Sequence, residues 1–181
     1  KVLADNLAPD DVLRACEGSL RNLETDFIDL YIVHWPNHDI PIADTVGALN
    51  RLKEQGKIRA IGVSNFGVGD LTGLLAHERP EIDQLPYNLI WRPIEHEILP
   101  KMREHGIGVM VYSPLAQGLL TGRYSSADEV PDGLARSRHF SKDRSQSTHD
   151  EDGCEEELFD AVEKIRYVAD QMNQPMASVA L

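Results

Sequence analysis

Positive charge is scarce in this chain. Eighteen lysines and arginines stand against thirty aspartates and glutamates, a formal net charge of -12 over 181 residues. A surface of that sign repels phosphate backbones and anionic headgroups, which argues against nucleic acid or anionic membranes as main partners. Cysteine is nearly missing. Cys16 and Cys154 fall in separate helical patterns, so no disulfide framework is expected, and a reducing cytoplasm is the default location. No apolar run approaches the ~20 residues that span a bilayer, and no basic-then-apolar signal segment opens the chain. A glycine-rich phosphate turn after an early strand, which a Rossmann half needs, is also lacking. Glu95-His96-Glu97 has no HExxH spacing, and adjacent helical residues face different ways, so no metal site is expected. The chain opens on Lys1 with no strand pattern before it and stops inside the apolar run 175–181. Both ends read as truncations.

What is present is an alternation of strand and helix patterns. Residues 11–23 put Val12, Leu13, Cys16, Leu20 and Leu23 on one helical face, after Pro9 and two early aspartates that suit a helix N-terminus. Residues 27–33 form a short run of β-formers. Ile42, Val46, Leu49 and Leu52 mark a second helix, stopped at Gly56 by a left-handed cap. A strand follows at 58–63, a short helix at 70–77, a brief strand at 82–85, and a helix through Ile94, Ile98, Leu99 and Met102 that ends at Gly106. Residues 107–112 are the fourth clear strand. Residues 125–152 are polar and follow neither period. The last long helix runs from about 155 to 171, with Leu158, Ala161, Val162, Ile165, Val168 and Met172 inward. His77, His105, His139 and His149 read as solvated.

Strands that recur with helices between them build a parallel sheet of βα units. Apolar content of 41% suits one ordinary core, so residues 1–181 are read as a single domain. Periodicity does not separate a closed barrel from an open doubly wound sheet. The missing phosphate turn favours a barrel. So does the series of polar residues just after successive strands, His34, Ser64-Asn65, Gln84 and Ser113, because a β/α barrel builds its site at the strands' C-terminal ends. Four to five units are too few to close eight strands.

Each of these residues has a plain and a functional reading. His34 finds a backbone carbonyl, or polarises a substrate carbonyl as a neutral imidazole. Ser64 and Asn65 cap the next helix or form a turn, or offer a hydroxyl and an amide to a ligand carboxamide. Gln84 sits at a buried-type position, where an amide needs partners. Tyr112 packs in the core, or stacks on an aromatic ring. The run Ser113-Pro114-Leu115-Ala116-Gln117-Gly118 is a turn whose N–H groups suit a pyrophosphate. Singly, the plain readings win. Together they line up an amide-binding set, a stacking ring and a phosphate turn.

Three stretches carry a resemblance. Thr25-Asp26-Phe27-Ile28-Asp29-Leu30-Tyr31-Ile32-Val33-His34-Trp35-Pro36, Gly56-Lys57-Ile58-Arg59-Ala60-Ile61-Gly62-Val63-Ser64-Asn65-Phe66 and Tyr112-Ser113-Pro114-Leu115-Ala116-Gln117-Gly118-Leu119-Leu120-Thr121-Gly122 resemble the aldo-keto reductases, in family order and over nearly the whole chain. The resemblance implies an α/β fold, a partial (β/α)8 TIM barrel holding roughly strand 3 or 4 to helix 7. It also implies NADP(H) bound across the barrel mouth and a small aldehyde or ketone reduced to an alcohol. His34 then resembles the histidine that orients the substrate carbonyl, and Ser64, Asn65 and Gln84 the residues that hold the nicotinamide carboxamide. Tyr112 matches the stacking ring. Ser113, Leu115, Gln117 and Gly118 fall in the pyrophosphate loop, and Trp35 lines the substrate pocket. Lys1, before Val2 and 33 residues ahead of His34, resembles the lysine that lowers the pKa of the catalytic tyrosine. The resemblance puts that tyrosine, its aspartate partner and the 2′-phosphate site outside these residues, which implies that this stretch alone is inactive. The other function implied by the fold is a non-catalytic, nucleotide-binding regulatory subunit.

Overall fold

Four segments become strands: β1 (Ile28–Val33), β2 (Ile58–Ser64), β3 (Ile82–Pro86) and β4 (Gly108–Tyr112). β-branched and aromatic residues make up much of β1, β2 and β4, while β3 has only Ile82 of that kind. A computed structural model describes residues 1–181. The chain divides into two units, residues 1–86 with 93–112, and residues 87–92 with 113–181.

The first unit holds all four strands, with helices α1 (Pro9–Leu23), α2 (Ile42–Glu54), α3 (Val68–Leu75) and α4 (Ile98–Glu104) between or before them. The sheet order is β1-β2-β3-β4, and every pair is parallel. Each new strand adds on the same side, with no reversal of order of the kind a doubly wound sheet shows at its switch point. Val2 extends the sheet by a single parallel bridge to Val33. Its amide donates to the Ile32 carbonyl, and its own carbonyl accepts from His34 N, both at 2.9 Å.

Val12, Cys16 and Leu20, spaced by one helical turn each, form the buried stripe of α1. Leu23, read from sequence as inward, is instead 64% exposed. It is the last residue of the helix, and Glu24 in the left-handed conformation (φ 53°) turns the chain away there. α2 buries Thr45, Val46, Ala48, Leu49 and Leu52, and the Thr45 hydroxyl donates to the Leu7 carbonyl at 2.9 Å. The single helix expected through Ile94 is two pieces. Pro93–Glu95 is a separate 3-10 turn, and Glu97, at φ -132° and ψ -44°, lies outside helical geometry before α4.

In the second unit α5 (Glu155–Gln171) opens on three glutamates, favourable to the helix dipole, and α6 (Met176–Ala180) follows. α5 buries Leu158, Phe159, Val162 and Ala169. Val168 and Met172, expected inward, are exposed. Residues 125–152 contain only a 3-10 turn, Ala127–Glu129, yet they place Val130, Ala135 and Phe140 in one cluster with Leu119, Leu120, Tyr124 and α5. Those three anchors are spaced five apart, which matches neither a helix nor a strand.

Two histidines in that stretch are not solvated as the sequence suggested. His139 meets Trp91 edge to face at 5.3 Å between centroids, and burial lowers its pKa. His149 Nε2 lies 3.0 Å from the Ser137 carbonyl, and its Nδ1 accepts from Glu151 N. The polar character of the stretch hid a second anchor, Arg144. Its Nε donates to Glu155 Oε1 at 2.8 Å, Nη1 to the Val130 carbonyl and Nη2 to the Ala127 carbonyl. The guanidinium also sits 5.0 Å over the Phe140 ring. A lysine cannot reproduce this planar fork. Arg144→Lys should lower stability by about 1–3 kcal/mol in urea unfolding, and an unchanged midpoint would show that the anchor is idle.

Candidate functional site

Strand register decides which side chains share a face, because alternate residues point the same way. Ile32 pairs with Gly62, Gly62 with Ile82, and Ile82 with Gly108. One step further along, Ser64 pairs with Gln84 and Gln84 with Met110, and beyond them Pro86 pairs with Tyr112. His34 continues the parity of Ile32. Ser64, Gln84, Met110 and Tyr112 therefore share one face of the sheet at its C-terminal end, and His34 joins them there.

Hydrogen bonds tie this face together. Asn65, at φ 62°, turns the chain after β2 and returns its amide across the strand ends. Its Nδ2 donates to the His34 carbonyl at 3.1 Å and to Ser64 Oγ at 3.0 Å, while its Oδ1 accepts from the Tyr112 hydroxyl at 2.9 Å. A non-glycine residue held at positive φ is strained unless its surroundings demand it, and here three bonds do. Ser64 is buried, 1% exposed, and its hydroxyl donates to the Gln84 carbonyl at 2.9 Å. Asn65 N donates to the same carbonyl at 3.1 Å. Lys1 Nζ donates to Gln84 Oε1, and Gln84 Nε2 donates to Met110 Sδ at 3.0 Å. Six residues chosen from sequence, Lys1, His34, Ser64, Asn65, Gln84 and Tyr112, are thus brought together. Trp35, next to His34, is 51% exposed.

Chemically, the face offers an imidazole, an ammonium, two carboxamides of fixed orientation and a phenol ring. Burial and the nearby Asp83 charge push the Tyr112 hydroxyl above its ordinary pKa. Tyr31, buried against α1, is pushed up to about 12. Both therefore hold their protons more tightly than a free phenol.

The other four residues chosen from sequence, Ser113, Leu115, Gln117 and Gly118, lie in the second unit. Ser113, Ala116, Gln117 and Gly118 all have positive φ, at 53°, 48°, 55° and 103°. The chain turns tightly there, and two of its amides are used within the turn, Ala116 N donating to the Ser113 carbonyl at 2.9 Å and Gly118 N to the Leu115 carbonyl at 3.0 Å. Asn88 braces the turn by donating from Nδ2 to the Ser113 carbonyl at 3.1 Å, while its Oδ1 accepts from Ile90 N and Trp91 N.

Three residues escaped the sequence reading. Asn88 looked like ordinary turn material, and Met110 looked like strand filler. Asp83 alone carried a usable signal, an acid inside the apolar run of β3. Its parity places it on the opposite face from Gln84. It is 0% exposed, and neither carboxylate oxygen has a hydrogen-bond partner. Burial pushes its pKa up to about 7. The nearby Phe66 amide, which does not complete a hydrogen bond, pulls it down, and Asp70 raises it further.

No helix is long and apolar enough to cross a membrane. The NADH-specific methylglyoxal reductase of Escherichia coli K12 is 44% identical over 134 residues, which is 72% of this chain and 41% of that protein. Among solved structures, the glycerol dehydrogenase of Gluconobacter oxydans superposes with a TM-score of 0.80 at 31% identity, over 96% of this chain and 50% of that one. An aldo/keto reductase from Klebsiella pneumoniae, in complex with NADP and acetate, superposes with a TM-score of 0.64 at 27% identity, over 96% and 69%. The chain thus spans half or less of the length of the Escherichia coli and Gluconobacter oxydans proteins. Its four parallel strands and their helices match part of the (β/α)8 barrel of these neighbours. The aldo/keto reductase family model matches residues 1–181, and with the strand-end face just described the chain belongs to the aldo/keto reductase family.

Proposed function

We propose that these residues form the nicotinamide side of an NADP(H)-dependent reductase that transfers hydride to an aldehyde or ketone carbonyl to give an alcohol. The observation that carries this reading is the Asn65 carboxamide, held by His34, Ser64 and Tyr112 on the same face as Gln84. Asn65 and Gln84 hold the carboxamide of the cofactor, Ser64 braces both, and Tyr112 supplies a flat surface for the ring. Bound in that way, the cofactor supplies hydride chemistry, and the protein contributes position. His34 orients the substrate carbonyl, beside Trp35 as part of the pocket wall. Lys1 supplies positive charge near the proton donor. Ser113, Leu115, Gln117 and Gly118 are assigned to the pyrophosphate from the family resemblance alone.

NADP(H) is proposed from the family resemblance, and the NADP-bound neighbour supports it. The NADH-specific relative makes NADH the comparison to run beside it. A cytoplasmic location and one barrel domain containing residues 1–181 belong to the same proposal. The proton donor is a separate matter. Tyr31 and Tyr112, the two tyrosines in the unit that holds His34, have raised pKa values, the reverse of what an ammonium beside a proton donor produces. None of the tyrosines among residues 1–181 matches the family's proton donor, so these residues alone are proposed to give no turnover.

The test is turnover of a generic aldehyde with NADPH by the complete protein and by His34→Asn. The variant should lose about 10²-fold in kcat with nucleotide affinity unchanged, a typical contribution of a positioned donor. Nucleotide binding without turnover in the parent protein would favour the regulatory-subunit reading. Turnover by the isolated 181 residues at ordinary enzyme rates would overturn the proposal about the proton donor.

A further inference from the structure

The Gln84 amide is fixed from both ends. Oε1 accepts from the Lys1 ammonium, so the NH2 group faces the other way, where Nε2 donates to Met110 Sδ at 3.0 Å. Met110 is the residue paired with Gln84 across the β3–β4 register, so the sulfur is delivered by the strand and not by a mobile loop. Met110 stands between Val109 and Val111 in β4. Branched residues suit such a strand, but neither Val nor Ile carries an acceptor.

We propose that Met110 is a positioning residue for the nicotinamide site. Its sulfur holds the Gln84 NH2 group, which keeps Oε1 turned toward the ligand side, where a second lone pair can accept an N–H of a nicotinamide carboxamide. The terminal torsion of glutamine is broad and close to two-fold. With an aliphatic side chain at position 110 the NH2 group loses its partner on the sheet. The Lys1 ammonium on Oε1 still opposes a full flip, but the amide then swings about that one bond and meets the ligand donor in a wider range of orientations. A thioether is a weak acceptor, so the effect is one of orientation rather than of strong binding.

The proposal rests on Gln84 being a nicotinamide ligand, so the test must separate the two claims. NADPH affinity would be measured by nicotinamide fluorescence in the complete protein, in Met110→Leu, in Gln84→Leu and in the double variant, with steady-state constants alongside. Met110→Leu keeps size and apolar character. It should weaken NADPH about fivefold, the scale of one modest hydrogen bond. That loss should appear in the nucleotide KM, with kcat held within about twofold. It should add nothing in the Gln84→Leu background, as expected of coupled neighbours. Met110→Gln, which returns an acceptor oxygen, should restore affinity. A Met110→Leu protein that binds like the parent, or that loses as much in the Gln84→Leu background, overturns the positioning role. A Gln84→Leu protein with parental affinity overturns the ligand assignment itself, and the proposal with it.

Discussion

Asp83→Asn should stabilise the protein at pH 8 by about 4 kcal/mol and leave it nearly unchanged at pH 4. The Asp83 carboxyl is 0% exposed, without a hydrogen-bond partner on either oxygen, and burial raises its pKa from 3.8 to about 7. A raised acid pKa means that the folded state binds the proton more tightly than the unfolded state. Below about pH 4 both states are protonated and ionisation adds no penalty. Between about pH 4 and 7 the unfolded state has released its proton, so stability falls as pH rises. Above about 7 the folded state must carry a buried carboxylate, and the penalty levels off. A shift of about three pKa units corresponds to about 4 kcal/mol at 1.36 kcal/mol per unit. Asparagine has no charge to bury and should remove that slope. Urea unfolding of both proteins from pH 4 to 8 checks this, and parallel stability curves would contradict it. The penalty sits in β3, one residue from Gln84, where functional sites commonly store cost.

Gly153→Ala should destabilise the protein by about 2–5 kcal/mol. Gly153 has φ 81°, a conformation that costs an L-residue about 1–2 kcal/mol. A Cβ there would lie 2.5 Å from the Phe140 carbonyl carbon, 2.7 Å from its oxygen and 2.7 Å from Ser141 N. All three are backbone atoms, so no side chain can swing aside, and overpacking adds about 1–3 kcal/mol. Phe140 is fully buried in the second unit, and Cys154 N donates to the His139 carbonyl at 2.7 Å. The substitution therefore pushes apart the crossing of two chain segments at the start of α5. Thermal unfolding measures it. A midpoint equal to the parent would mean that this crossing is not as tight as the geometry makes it.

Much of the first unit was legible in the sequence because its signals are local. β1 and β2 are dense runs of branched residues, α2 repeats its apolar residues at helical spacing, and Gly56 and Gly106 sit at helix ends with φ of 71° and 64°. The strand-end residues were legible for the same reason, since a polar residue closing an apolar run stands out. How they pair was not. Register decides that Met110 meets Gln84, and the Asn65 turn at positive φ decides that one amide reaches both His34 and Tyr112. Neither contact leaves a mark in spacing along the chain. Residues 125–152 hid their order more completely. Val130, Ala135 and Phe140 are single anchors in polar sequence, and Arg144, a charged residue, is held inward by two backbone carbonyls and Glu155. His139 was missed because burial imposed by tertiary packing is not written beside the residue that suffers it; Asp83 did leave a local mark, an acid within β3.

A structure of the complete protein bound to NADP+ tests the central claim most directly. The nicotinamide carboxamide should lie within hydrogen-bond distance, about 3 Å, of the Asn65 and Gln84 side chains, with its ring against Tyr112 and His34 at the substrate side. A nicotinamide bound away from this face, with Asn65 and Gln84 still bonded only as they are now, would contradict the account.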